Sequence, residues 1–384
     1  MARAVVIGGG IGGLTAAVAL ERRGWAVTVV EQAASVEPVG SGLAVAPNAL
    51  RALDTIGLGD EIRKLAAIQG DAGIRRPSGR WLTRTSAEQA TARYGDPTVL
   101  LLRSALVDLL AGALSPGALR LGTRVTAADP ATGRVATDGG TLKADLVVAA
   151  DGIRSATRSA LFPGHPGPVY AGVTSWRIVV PMKGPVPASE TWGPGLLFGV
   201  MPLANDRVYC YATAVVPPGG RAADERDELV RLFGRWHDPI PALLAAADPA
   251  AVLRHDIHSL DAPLPAFHRG RVALLGDAAH AMTPNLGQGA CQAVEDAVVL
   301  ARLVGPGLPA DDLADRVAAG LAAYSAARTA RTRPIVRRSR AIGRVTGWRN
   351  PAARAARDGM IVAVNRLLPD LMLRQFDDVF TWRG

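Results

Sequence analysis

The sequence predicts an α/β protein: a Rossmann-like nucleotide-binding domain interleaved with a β-rich second domain and followed by C-terminal helices. Three observations predict it. The chain opens with VVIGGGIGG, a strand-like run leading into a Gly-rich turn. A second turn of different design lies far downstream, in RVALLGDAAHAMTPNLGQGACQAVEDA, Arg271 to Ala297. Between them, from about residue 165 to 267, runs such as TSWRIVVP, LLFGVMPL and RVYCYATAV read as strands broken by Gly and Pro. Two nucleotide-type turns so far apart suggest one long cofactor held at both ends.

The N-terminal elements follow in register. Ala4 to Ile7 is a strand, Gly8, Gly10 and Gly13 fit G-x-G-x-x-G, Ile11 to Arg23 is a helix, and Ala26 to Val30 is the next strand. Gly8 makes the tight turn, Gly10 lets backbone approach a pyrophosphate, and Gly13 permits close helix–strand packing. Glu31 falls about 20 residues on, where a carboxylate accepts both ribose hydroxyls of an adenosine. A carboxylate there repels a 2′-phosphate, so the site reads as FAD or NAD rather than NADP.

The downstream turn has its own logic. Val272 to Leu275 suits a buried strand, and Gly276 breaks it. Asp277 then stands at the strand's carboxyl end, where ligands bind in open α/β sheets. Pro284-Asn285-Leu286-Gly287-Gln288-Gly289 forms a second turn opening a helix with Ala290, Val294, Ala297, Val298 and Ala301 on its apolar face. The exposed amides and positive dipole end of that helix suit an electron-rich carbonyl or a forming anion.

The remaining chain order predicts interleaving. The nucleotide domain takes residues 1–70, 100–165 and 268–325, including a helix around Asn48 to Leu58 and another around Arg103. Residues 71–99 and 166–267 form the substrate-binding domain, an antiparallel sheet with a helix from Asp224 to Trp236. Residues 326–384 are C-terminal helices, with an apolar stripe of Ile361, Val364, Leu367, Leu368 and Leu371 and a break at Pro369. That stripe is expected to dock on the core; a dimer contact is the alternative.

Composition excludes several classes. Hydrophobic residues make up 49% and charged residues 20% of 384, so the chain is globular. No signal peptide or membrane span is seen. Two cysteines, Cys210 and Cys291, exclude a disulfide scaffold and suit the cytoplasm. No Cys/His cluster has metal spacing, so no metal is expected. The net charge of +9 comes mostly from Arg and is dense between Arg328 and Arg354. No nucleic-acid motif or interleaved aromatics accompany it, so it reads as a solvated helix surface and no nucleic-acid partner is expected.

Three widely spaced motifs now carry a resemblance. They are the Gly-rich turn with Glu31, Asp151-Gly152-Ile153-Arg154-Ser155-Ala156-Thr157-Arg158, and Gly276-Asp277-Ala278-Ala279-His280 continuing through Pro284 to Gly289. Together with Arg103 in LLRSALVDLL they resemble the single-component (class A) FAD-dependent aromatic monooxygenases, which include the salicylate, hydroxybenzoate and urate hydroxylases. The resemblance implies a hydroxybenzoate-hydroxylase-like fold with FAD bound through Gly8, Gly10, Gly13, Glu31, Arg103, Asp151, Asp277, Gly287, Gln288 and Gly289. It implies NADH or NADPH as a transient reductant, supported by Asp151 and Arg158, and O2 as co-substrate. In this family reduced flavin forms a C4a-hydroperoxide, which the protein keeps dry against an electron-rich carbon.

On that reading Pro284 lines the reacting edge of the ring. Trp176, Arg177, Phe198, Met201, Tyr209 and Tyr211 are candidates for the substrate wall. Arg177 suits a substrate carboxylate or phenolate, or an interdomain ion pair. His280 suits a proton relay, or a hydrogen bond to its own turn. Pro284, Arg177, Tyr211 and His280 are thus the candidate catalytic residues. The expected activity is hydroxylation of an aromatic or N-heteroaromatic small molecule by a monomer or homodimer. Epoxidation or Baeyer–Villiger insertion is the alternative outcome, and a flavin-binding protein without turnover is the reading from another class. A halogenase is disfavoured, since WRIVVP replaces that group's W-x-W-x-I-P.

Overall fold

The computed structural model describes residues 1–35, 41–65, 72–305 and 313–382. The boundary expected at residues 70 and 71 lies outside them. A six-stranded sheet runs in the order His268–Arg269, Val272–Leu274, Leu146–Ala149, Arg3–Ile7, Ala26–Val30 and Leu119–Arg120, parallel except at its first strand. Both faces are covered, so the central strands are continuous apolar runs.

The Ile11–Glu21 helix is buried nearly all round, as its uniformly apolar sequence requires. It packs on the Gly289–Leu303 helix. Gly12 makes this approach possible: an added Cβ would lie 2.6 Å from Leu275 and 3.1 Å from Ala293. The two distant Gly-rich turns are therefore in direct contact. The helix expected from Asn48 to Leu58 is Pro47–Asp54, followed by a separate turn of helix at Gly59–Lys64.

A seven-stranded sheet forms the second layer, ordered Leu253–Ser259, Val169–Pro181, Arg207–Ala214, Leu196–Leu203, Ala188–Trp192, Ala72–Arg75 and Trp81–Thr85. It is mixed rather than purely antiparallel, because Ala188–Trp192 and Ala72–Arg75 run parallel. Strand alternation gives it two different faces. One carries Trp176, Ile178, Phe198, Val200 and Cys210 beneath the Glu225–Phe233 and Ile240–Ala245 helices. The other turns Val179, Met201, Tyr209 and Tyr211 toward Leu100 and Ala44 of the Gly42–Val45/Val99–Leu102 ladder.

One 34-residue helix, Leu313–Thr346, runs through the boundary expected between 325 and 326. The last helices break at Pro369 as expected. The apolar stripe splits: Ile361 and Val364 are half-buried, while Leu367, Leu368 and Leu371 stay exposed. Among the described residues no helix is long and apolar enough to cross a membrane, and no group of His, Cys, Asp or Glu could hold a metal ion.

Candidate active site

Sheet register assembles the site. Ile7 stands beside Val30 and Ala149, and Ala149 beside Leu274. The residues that follow these strand ends, Gly8, Glu31, Asp151 and Asp277, therefore emerge along one carboxyl edge of the sheet, the position at which open α/β sheets bind ligands.

The first part of that edge is a cavity of about 300 Å³ bordered by Gly8, Gly10, Glu31 and Asp151. Gly8 has φ +105°, and an added Cβ would lie 2.4 Å from the Ala150 carbonyl; one on Gly13 would lie 2.0 Å from the Gly8 carbonyl. At Gly10 an added Cβ meets nothing within 4 Å, so its small size serves the cavity rather than the fold. Glu31 accepts from Gly9 N at 2.6 Å and Ala33 N at 2.9 Å, which fixes its carboxylate at the rim. Asp151 Oδ2 accepts from Thr157 N at 3.1 Å, while Oδ1 is buried without a partner.

Arg103 and Asp277 hold the middle. Both lie deep in the molecule yet keep accessible surface, as residues lining an internal cleft do. Burial pushes the Asp277 carboxyl up, and His280 and Arg103 oppose it. Burial lowers the Arg103 guanidinium, with Asp277 opposing and Arg177 reinforcing the fall. Gly289 borders Asp277, since a Cβ on it would lie 4.0 Å from Oδ1. The Gln288 side chain is closed in the core, where Oε1 accepts from Asn48 and Gln292 and Nε2 has no partner.

The Pro284 turn borders a second cavity of about 320 Å³. Leu197 and Thr213 of the seven-stranded sheet, with Val215 just past its strand end, line one side, and Arg340 and Arg344 of the long helix the other. That helix buttresses the turn, because buried Ser339 donates to the Thr283 carbonyl at 2.5 Å.

The sheet face nearest this region carries Arg177 directly opposite Tyr211, with Tyr209 and Met201 alongside. Tyr209 and Tyr211 ring centroids are 5.8 Å apart. Trp176 and Phe198, expected on the same wall, are on the opposite face: both register against Ala212, and Trp176 donates to Glu225 at 2.7 Å. Alternation could have decided this from sequence, since neighbours 176 and 177 cannot share a face.

The surroundings of His280, Arg158 and the Arg-rich helix are as follows. His280 is 5% exposed, with Nε2 2.6 Å from Asp296 Oδ2, so it is closed into the turn rather than facing a substrate. Arg158 is buried and donates to the Ala278 and Ile153 carbonyls at 3.1 and 2.7 Å, tying the Asp151 loop to the Asp277 turn. The Arg-rich helix is not simply solvated. Arg328 is 2% exposed and binds both Glu295 and Asp296, and Arg357 is buried against Asp358.

Sequence reading missed Glu190, which accepts from Tyr211 and Trp192, and Gly199, over which the Tyr211 ring lies. Only the register of three strands brings them together. It also missed the Glu295–Asp296–Arg328 network, for which Glu-Asp facing the next helix's Arg was the available signal.

The residues present fit FAD. The open space at Gly10 and the unpartnered Asp151 Oδ1 border the first cavity, Arg103 and Asp277 keep surface in the cleft, and the Pro284 turn borders the second cavity. Such a doubly wound fold, with its helix-capped second turn set against a β-sheet wall, defines an FAD-dependent aromatic monooxygenase. Comparison with known proteins agrees: residues 1–339 match the FAD binding domain family, and the chain belongs to that family. It is 41% identical to aurachin C monooxygenase/isomerase of Stigmatella aurantiaca over 91% of each chain. It is 34% identical to FAD-dependent urate hydroxylase of Klebsiella pneumoniae over 88% of each. With 2-heptyl-3-hydroxy-4(1H)-quinolone synthase of Pseudomonas aeruginosa it shares 33% over 99% of this chain and 98% of that one. The Klebsiella pneumoniae HpxO structure complexed with FAD and uric acid superposes with a TM-score of 0.88 at 30% identity, covering 99% of this chain and 96% of that one.

Proposed function

We propose that this monooxygenase consumes NAD(P)H and O2 to hydroxylate a flat aromatic or N-heteroaromatic small molecule held between the Pro284 turn and the Arg177–Tyr211 sheet face. The single observation that carries the reading is the cavity at Pro284, bounded by Thr283, Pro284 and Asn285 at the start of the turn and by Leu197 and Thr213, two residues along the strands from Gly199 and Tyr211. Urate, in the name of one relative, and a hydroxyquinolone, the product in the name of another, are flat N-heteroaromatic compounds of this kind. The net change is substrate C–H plus O2, NAD(P)H and a proton giving C–OH, NAD(P)+ and water.

The chain's residues divide the work. Gly8, Gly10, Gly13 and Glu31 hold the adenosine end of FAD, and Asp151, Arg103 and Asp277 the path to the ring system. Bound and reduced, FAD supplies the electrons that activate O2 for transfer of one oxygen atom. Backbone amides at Gln288 and Gly289, at the start of the Gly289–Leu303 helix, stabilise negative charge beside the reacting edge, while Gly287 N is spent on the Pro284 carbonyl. Pro284 and the apolar side chains Leu197 and Val215 exclude water. Arg177 places a cation near a substrate carboxylate or phenolate.

The test is NAD(P)H oxidation by the FAD-loaded protein with and without phenols, hydroxybenzoates, purines and quinolones, with hydrogen peroxide measured alongside. Substrate-stimulated oxidation without matching peroxide supports hydroxylation. Absence of oxidation with every compound and either nucleotide contradicts it.

A further inference from the structure

The Pro351–Leu367 helix is inside out for a surface helix. Its charges point inward: Arg357 and Asp358 are buried, Asp358 Oδ1 accepts from Arg357 at 2.8 Å, and Oδ2 accepts from Arg76 at 2.9 Å. Asn365 also faces in and accepts from Thr83 at 2.8 Å. The outward arc holds Pro351, alanines, Gly359, Met360 and Leu367, and its one charge is Arg366. Surface helices ordinarily turn their polar stripe to water. Met360 is 63% and Leu367 75% exposed; seven residues apart, they stand two turns along one line of the helix. Leu368 and Leu371 carry the exposed apolar surface past the break at Pro369, and Trp348 is exposed at the corner before the helix begins.

Charge gathers in the same part of the chain. Residues 326–384 hold thirteen arginines and four aspartates, with no lysine or glutamate, so they carry +9, the whole net charge of the protein. Three of the four aspartates are spent within the fold: Asp358 on Arg76 and Arg357, Asp377 on Arg93, and Asp378 on Arg338. Arg337, Arg344, Arg349 and Arg366 are exposed and have no carboxylate partner among the described residues. Arg349 adjoins Trp348, and Arg366 adjoins Leu367.

What covers this face must be anionic and must also take apolar side chains. A second copy of the chain fails the first condition: two such arcs packed together would take each Arg366 out of water with no acid on either arc to receive it. Nucleic acid would meet the arginines and leave the leucines in water. The surface of an anionic bilayer meets both, with phosphates for the arginines and the acyl boundary for the leucines. We propose that the Pro351–Leu367 and Pro369–Arg374 helices dock the protein on an anionic lipid surface. Met360, Leu367, Leu368 and Leu371 enter the acyl boundary, and Arg349 and Arg366 meet lipid phosphates. The contact is peripheral, with the helices lying along the surface and not crossing it.

The test floats the FAD-loaded protein with vesicles of phosphatidylcholine, with and without phosphatidylglycerol. Wild type is expected to float with the anionic vesicles, to stay behind with pure phosphatidylcholine, and to bind less tightly as salt is added. Leu367→Asp is expected to lower the apparent affinity by roughly tenfold or more, because it removes an inserting leucine and adds an anion. Arg366→Gln is expected to lower it about fivefold. Both positions are exposed, and flavin absorbance with thermal melts reports that fold and FAD are retained; Leu371→Asp carries the test where Leu367→Asp does not fold. Wild type that stays behind with anionic vesicles overturns the proposal, and equal flotation with both vesicle types refutes its anionic requirement. Flotation left unchanged by the folded leucine variants also overturns it, since arginines alone would then hold the vesicle. A wild-type dimer by light scattering that Leu367→Asp converts to monomer would give the face to a second copy instead.

Discussion

Arg328 places Nε 2.5 Å from Asp296 Oδ1 in the closed interior, and the other oxygen of the same carboxylate holds Gly276 N at 2.9 Å. The long C-terminal helix is thereby clamped to the turn that presents Asp277. Arg328 also binds Glu295 at 2.7 Å, so one guanidinium bridges two adjacent buried carboxylates, with Arg331 completing Glu295 and His280 completing Asp296.

Removing it takes the shared cation from both carboxylates and leaves Glu295 to Arg331 and Asp296 to His280. Arg328→Met is expected to destabilise the protein by about 3–5 kcal/mol, the cost of breaking a buried pair from one side. Urea unfolding measures this; a loss under about 1 kcal/mol, the range of an exposed pair, would show that the network carries no such weight.

Asp296 also makes a pH prediction. Burial alone would raise its carboxyl, but His280 and Arg328 outweigh it and hold it at about 2 against an ordinary 3.8. A depressed folded value adds stability that is fully present above the ordinary value and disappears as pH falls toward 2. The contribution is about 2 kcal/mol. Unfolding free energy should fall between these pH values in wild type, with a shallower slope in Asp296→Asn. Equal slopes would refute the assignment.

Gly10 and Gly13 should separate by consequence. Gly10→Ala places its methyl in open cavity and is expected to weaken FAD binding by roughly tenfold, about 1.4 kcal/mol, while the apoprotein melts as wild type. Gly13→Ala drives a methyl into the Gly8 carbonyl and is expected to lower apoprotein stability itself. Flavin titration with thermal melts of both apoproteins checks this; a destabilised Gly10→Ala apoprotein would count against the open-space reading.

The cavity at Pro284 can be filled without touching the adenosine end. Val215→Trp is expected to retain FAD and NAD(P)H-dependent flavin reduction but to divert electrons to hydrogen peroxide at the expense of product. Unchanged coupling would show that substrate sits elsewhere.

The cofactor edge was legible because its constraints are local. A positive φ at Gly8 and a carboxylate closing the second strand leave marks on single residues. The proposed substrate face was legible in its alternation alone: Arg177, Tyr209 and Tyr211 share a face, whereas adjacent Trp176 does not. Glu190 and Gly199 were hidden because their meaning arises from inter-strand register, which alternation within one strand leaves open. The Arg-rich helix misled for another reason. Arginine is seldom fully buried, and only a facing pair of carboxylates on a neighbouring helix makes Arg328 an exception.

The most direct measurement is turnover under isotopically labelled dioxygen, with a compound that stimulates NAD(P)H oxidation and mass spectrometry of the product. The account predicts one labelled oxygen atom in a hydroxylated ring for each NAD(P)H consumed. Product oxygen derived from water, or electrons recovered entirely as hydrogen peroxide with every stimulating compound, would contradict it.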